Sequence, residues 1–137
     1  MGDINASGKS FRRVLSIDGG GIRGIIPAMV IASIEKKMGK PARELFDLMV
    51  GTSTGGILAL GLSRPGSGRQ AQFSARRVVK LYEEQGDKIF EYSLWRKLRT
   101  VGGILEEAYS HEVLEGILGK YFAGATLGDC EVPTMVT

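Results

Sequence analysis

Cysteine and histidine are nearly missing from this sequence: Cys130 and His111 are the only examples. One cysteine can form no disulfide within the chain, and no Cys/His cluster with metal-ligand spacing exists. No metal and no cofactor is therefore expected. Long hydrophobic runs are also lacking. The longest, Ile25 to Ile34, is broken by Pro27 and Ser33 and falls well short of the ~20 apolar residues that span a bilayer. The first thirteen residues have no apolar core, so no secretory signal is expected, and the chain reads as cytoplasmic or peripheral to a membrane. Charge of one sign is scarce as well. Eighteen Lys and Arg against fifteen Asp and Glu leave +3, and basic clusters such as Arg12-Arg13 are no longer than doublets. That excludes a nucleic-acid surface, although a mild positive balance suits anionic lipid headgroups.

What is present is enough for one globular domain. The chain has 137 residues, 43% of them hydrophobic, which is a foldable composition with a real core. Its informative centre is Gly51-Thr52-Ser53-Thr54-Gly55, a G-x-S-x-G pattern. Leu48-Met49-Val50 before it reads as a short buried strand, and Ile57 to Leu62 after it as the start of a buried helix. A serine on the sharp turn between such elements is a nucleophile elbow. Tight turning and close neighbours call for small residues at Gly51, Gly55 and Gly56. The following helix aims its free N–H groups and positive dipole end at the serine, where acyl transfer develops negative charge.

A second strand–loop–helix unit precedes the first. Val14 to Asp18 reads as a buried strand, Gly19-Gly20-Gly21-Ile22-Arg23-Gly24 as a glycine-rich loop, and Ile25 to Met38 as a helix. Two such units in succession predict a βαβ crossover with parallel strands. Both glycine-rich loops then follow the carboxyl ends of their strands, the edge where open α/β sheets bind ligands. Amides near Gly20 and Gly21 could face Ser53 across one crevice as an oxyanion site. The same loop satisfies G-x-G-x-x-G, so a nucleotide-binding module is the alternative. That reading needs an acidic residue at the end of the second strand; the nearest, Glu44, precedes the strand, and the serine elbow stays unexplained.

Asp18-Gly19-Gly20-Gly21-Ile22-Arg23-Gly24, followed about thirty residues later by Gly51-Thr52-Ser53-Thr54-Gly55, resembles the patatin-like phospholipases. The resemblance runs from Arg13 to Thr137 and is weakest between Leu94 and Ser110. It implies an α/β class, a three-layer α/β/α fold with a mainly parallel central sheet, incomplete at the C-terminus. It also implies lipid ester hydrolysis by a Ser–Asp dyad, acting on phospholipid or galactolipid at a membrane or micelle interface. By position Ser53 is the nucleophile. Gly20 and Gly21 carry the oxyanion amides, Arg23 supports their loop, and Gly19, Gly24, Gly51, Thr52, Thr54 and Gly55 complete the two motifs. The family's dyad aspartate lies in a later Asp-Gly-Gly or Asp-Gly-Ala motif. The five aspartates here are Asp3, Asp18, Asp47, Asp87 and Asp129, and none after Ser53 is followed by glycine. The chain is thus expected to be the N-terminal portion of such a domain over residues 13–137, inactive alone. A non-catalytic lipid-binding or regulatory fragment is the third reading.

The remaining chain reads as connections and helices. Residues 1–12 form a flexible tail. Gly8-Lys9-Ser10 lacks the first glycine and preceding strand of a P-loop, and Met1-Gly2 lacks the Ser/Thr of a myristoylation signal. The helix from Ile25 is expected to be buried at its start and to emerge before Gly39. Pro41 to Asp47 is a short helix or turn, and Ser63 to Gln70 a surface loop. Ser74 caps a helix from Ala75 to about Gln85, with Val78, Leu81 and Tyr82 inward and Gly86 at its end. Phe90 to Arg99 is an aromatic and basic connection. Ser110 caps an amphipathic helix carrying Leu114, Ile117, Leu118 and Tyr121, with His111 a surface residue of its first turn. Gly128-Asp129 turns the chain into a strand from Val132.

Overall fold

The computed structural model describes residues 3–4, 10–65, 73–91, 115–116, 118–119, 121–122 and 124–137. Within the stretch expected as a tail, two short strands pair antiparallel: β1 (Asp3–Ile4) and β2 (Ser10–Phe11). The main sheet has three strands in the order β3 (Val14–Ile17), β4 (Leu48–Gly51) and β5 (Thr134–Val136). Both pairings are parallel, with Val14 opposite Leu48, Ile17 opposite Gly51, and Gly51 opposite Val136. This is the α/β architecture that two strand–loop–helix units call for, because a parallel neighbour needs a crossover. The register matters for the site. It ends β3, β4 and β5 at one level, so the turns that follow β3 and β4 open onto the same edge.

Helix α1 (Ile25–Met38) stops as expected, with Gly39 left-handed at φ 65° and its N–H donating to Glu35 O at 2.9 Å. α2 (Ala42–Leu45) is the short element before β4. α3 (Thr54–Ser63) begins three residues earlier than the apolar run suggests and is buried nearly all round. α4 (Ala75–Glu91) starts where Ser74 Oγ accepts the Arg77 N–H at 3.3 Å. It does not end at Gly86. A glycine weakens a helix interior by about 1 kcal/mol but stops it only where the chain turns left-handed. A 3₁₀ turn over Leu127–Asp129, capped reciprocally by Thr126 and Asp129, leads toward β5. Residues 115–116, 118–119 and 121–122 are helical. Tyr121 and Phe122 meet the Phe73 ring at centroid distances of 6.4 and 5.8 Å. His111, Leu114, Ile117 and the aromatic and basic stretch from Tyr92 to Arg99 lie outside the described residues.

The core joins Ile17 and Met49 of the sheet, Leu58, Ala59 and Leu62 of α3, Ala28 and Ile31 of α1, and Val78 and Tyr82 of α4. α1 departs from expectation in one respect. Ala28 and Ile31 are buried, but Ile26, Met29 and Val30 are exposed near its start. A helix apolar on every side does not encode which side is covered; here α4 and the glycine-rich turn take one side. Two polar anchors fix the frame. Asp47 accepts the Arg13 N–H at 2.8 Å, tying the start of β4 to β3, and that bond holds its carboxyl below the usual carboxylate range. Half-buried Glu35 accepts the N–H of Ala42 and of Ala75, both at 2.9 Å, so one carboxylate serves the starts of α2 and α4. Glu35→Ala leaves two helix-start amides without an acceptor. The expected loss is about 2 kcal/mol, measured by urea unfolding. A variant within 0.5 kcal/mol of the parent (about the noise of a surface substitution) would show that water replaces the carboxylate.

Candidate active site

Strand β4 carries the chain to Gly51, and α3 takes it away from Thr54, leaving only Thr52 and Ser53 to reverse direction. Such a reversal needs an unusual backbone at its apex. Ser53 has φ 53° and ψ −124°, and it is the only non-glycine residue at positive φ among the described residues. A side chain in that region costs on the order of 1–3 kcal/mol, and such outliers cluster at functional sites. Ser53 is exposed, while Thr54, Gly55 and Gly56 behind it are buried. It is the N-cap of α3, closer to the helix dipole than a helix from Ile57 would place it. Its carbonyl receives the N–H groups of Gly56 and Ile57 at 2.9 and 3.2 Å.

The glycines of the elbow are there because backbone runs against backbone. A Cβ on Gly51 would strike the Gly55 carbonyl. One on Gly55 would strike the Ile17 carbonyl, with Asp18 O at 2.9 Å. One on Gly56 would lie 2.6 Å from the Val136 side chain, so β5 also presses on the elbow. Thr52 N–H donates to Ile17 O at 3.2 Å, and Thr52 Oγ1 lies 2.8 Å from Thr137 Oγ1.

The loop after β3 does meet the elbow. A Cβ on Gly19 would sit 2.9 Å from Thr52 O and 3.0 Å from Ser53 Cβ, so glycine is required by close approach. Gly20 N–H donates to Thr54 Oγ1 at 3.2 Å. Gly21 is left-handed at φ 58° and opens a 3₁₀ turn through Gly24 into α1. The sequence reading treats Gly20 and Gly21 alike, but they differ. Gly20 is extended at φ 174°, with room for a Cβ 3.6 Å from Arg23 Cβ, and only Gly21 requires a left-handed residue. Arg23 closes the loop through its backbone, its N–H donating to Gly20 O at 3.2 Å.

Tyr82 belongs to the apolar stripe of α4 in the sequence, yet it reaches the site's support. A Cβ on Gly24 would lie 2.5 Å from its hydroxyl, so α4 packs directly beneath the glycine-rich turn. Burial pushes its phenol up to about 12. The tight glycine at the loop's end was the available signal, but it does not say which residue approaches. Glu44 lies on α2, before β4, and so not where a dinucleotide fold holds a ribose. Among the described residues no group of three or more His, Cys, Asp or Glu could hold a metal, and no helix is long and apolar enough to cross a membrane.

Known proteins are similar to this chain over most of its length. A family model described as patatin-like phospholipase matches residues 15–136. A cGAMP-activated phospholipase of Pseudomonas aeruginosa is 40% identical over 124 residues, 90% of this chain and 34% of that protein. Patatin-like protein 2 of Oryza sativa subsp. indica is 38% identical over 134 residues, covering 88% of this chain and 33% of that protein. Patatin group M-1 of Solanum tuberosum is 38% identical over 114 residues, 78% of this chain and 28% of that protein. The chain spans about a third of the length of these curated relatives.

Proposed function

The chain belongs to the patatin-like phospholipase family, and from that premise we propose that it supplies the nucleophile and oxyanion site of a lipid acyl hydrolase. The observation that carries this is the backbone of Ser53, an exposed serine held at φ 53° between a strand end and a helix start. Strain of that kind is kept where it aims a side chain. Ser53 Oγ attacks an ester carbonyl of a phospholipid or galactolipid at a membrane or micelle surface. The amides of the loop at Gly20 and Gly21, with the N-terminus of α3, receive the oxyanion. The alkoxide leaves as an alcohol, and water hydrolyses the acyl-serine.

The proton of Ser53 needs an acceptor. We assign it to the aspartate of a Ser–Asp dyad, outside the 137 residues, because no Asp-Gly motif follows Ser53. This chain by itself is then nearly inactive, since general-base assistance is worth about 10²–10⁴ in rate. The test is made on the whole protein as encoded. A fluorophosphonate is added, the protein is digested, and the modified serine is mapped. The expected site is Ser53. Modification of another serine with Ser53 bare would overturn the assignment.

A further inference from the structure

Thr54 follows the nucleophile and opens α3, where its own N–H has no partner within the helix. Its side chain does something else. It is 6% exposed, and its Oγ1 receives the N–H of Gly20 from the glycine-rich loop at 3.2 Å. That bond joins the loop after β3 to the elbow after β4, so it ties the two halves of the site together. Gly19 packs against Thr52 O and Ser53 Cβ on one side of it. Gly21 turns left-handed on the other. The loop is therefore located at three successive residues by contact, hydrogen bond and turn. Of these, the hydrogen bond is the one made by a polar side-chain atom.

We propose that Thr54 is the positioning residue of the oxyanion site: its hydroxyl holds the Gly20 amide and so sets the glycine-rich loop against Ser53. The proposal rests on the acyl-hydrolase reading of this same site and adds a residue role to it. At 3.2 Å the bond lies at the long end of the usual N–H···O range of about 2.7–3.2 Å. The amide is oriented without being saturated, and it can share its hydrogen with an oxyanion arriving in the crevice. Without the hydroxyl, the peptide from Gly19 to Gly20 has glycine freedom at both ends and loses the side-chain hydrogen bond that orients its N–H. Such a donor is displaced from the developing charge, and a misplacement of about 1 Å can cost about 10²-fold in rate. The ground-state ester carbonyl is less dependent on it, so turnover should suffer more than substrate binding.

The experiment compares Thr54→Val, Thr54→Ala and Thr54→Ser in the whole protein, with Ser53→Ala as control. Hydrolysis of a short-chain nitrophenyl ester is measured, and kcat is normalised to sites titrated by a fluorophosphonate, so misfolded material does not count. For Val and Ala, kcat is expected to fall by about 10- to 100-fold with KM within about twofold. For Ser, which keeps the hydroxyl, kcat is expected within about threefold of the parent. Valine keeps the shape and alanine relieves any crowding, so a loss in both follows the hydroxyl and not the packing. Normalised kcat unchanged in Val or Ala, or Ser as impaired as Val, would overturn the positioning role. Turnover that persists in Ser53→Ala would instead remove the acyl-hydrolase reading and this inference with it. An inactive Ser53→Ala with Thr54→Val equal to the parent would remove this inference alone.

Discussion

Ser53→Ala in the whole protein is expected to lose ester hydrolysis by at least about 10⁴-fold and to lose fluorophosphonate labelling. The substitution removes the oxygen proposed to attack and nothing that packs, since Ser53 is exposed at the apex of its turn. Alanine inherits the same backbone, φ 53° and ψ −124°. Its stability should therefore stay within about 0.5 kcal/mol of the parent. Ser53→Gly separates aim from strain. Glycine adopts positive φ without penalty, and the relief of ~1–3 kcal/mol outweighs its extra freedom in the unfolded chain. The expected result is an inactive protein that unfolds at higher urea, by about 0.5–2 kcal/mol. Equal activity in Ser53→Ala, or a Ser53→Gly variant less stable than the alanine one, would contradict a strained nucleophile at this position.

Gly55→Ala should be among the most damaging single methyls in the described chain. The added carbon would overlap the Ile17 carbonyl and lie 2.8 Å from Ile17 C and 2.9 Å from Asp18 O. These are backbone atoms at the end of β3, with no flexible side chain to swing away. Either α3 lifts off the sheet or β3 shifts, and both moves break the register that brings the two loops together. A loss of more than about 3 kcal/mol is expected, above the usual range for overpacking, with Tm lower by more than about 10 °C. Gly20→Ala is the contrast. Its Cβ would meet Arg23 Cβ at an ordinary 3.6 Å, and its φ of 174° is open to any residue. It should cost less than about 1 kcal/mol. Thermal melts of the two variants decide the matter, and a Gly55→Ala protein melting with the parent would refute the close approach of α3 and β3.

The sequence by itself determined the local turns. G-x-S-x-G between an apolar tripeptide and an apolar run marked the turn at Ser53, and two strand–loop–helix units in a row called for parallel strands. The structure pairs β3 with β4 and β4 with β5 in that sense. These features were legible because each is written in one continuous stretch of sequence, in apolar spacing and in glycine placement. Three kinds of feature were not. The exposed side of α1 was hidden because its early residues are apolar all round, and only the packing of α4 decides which are covered. The different roles of Gly20 and Gly21 were hidden because a glycine does not declare its φ. The partners of Gly24, Gly20 and Glu35 were hidden because Tyr82, Thr54, Ala42 and Ala75 arrive from other elements. Such contacts depend on register and helix packing, which are properties of the whole chain and leave no mark at a single position.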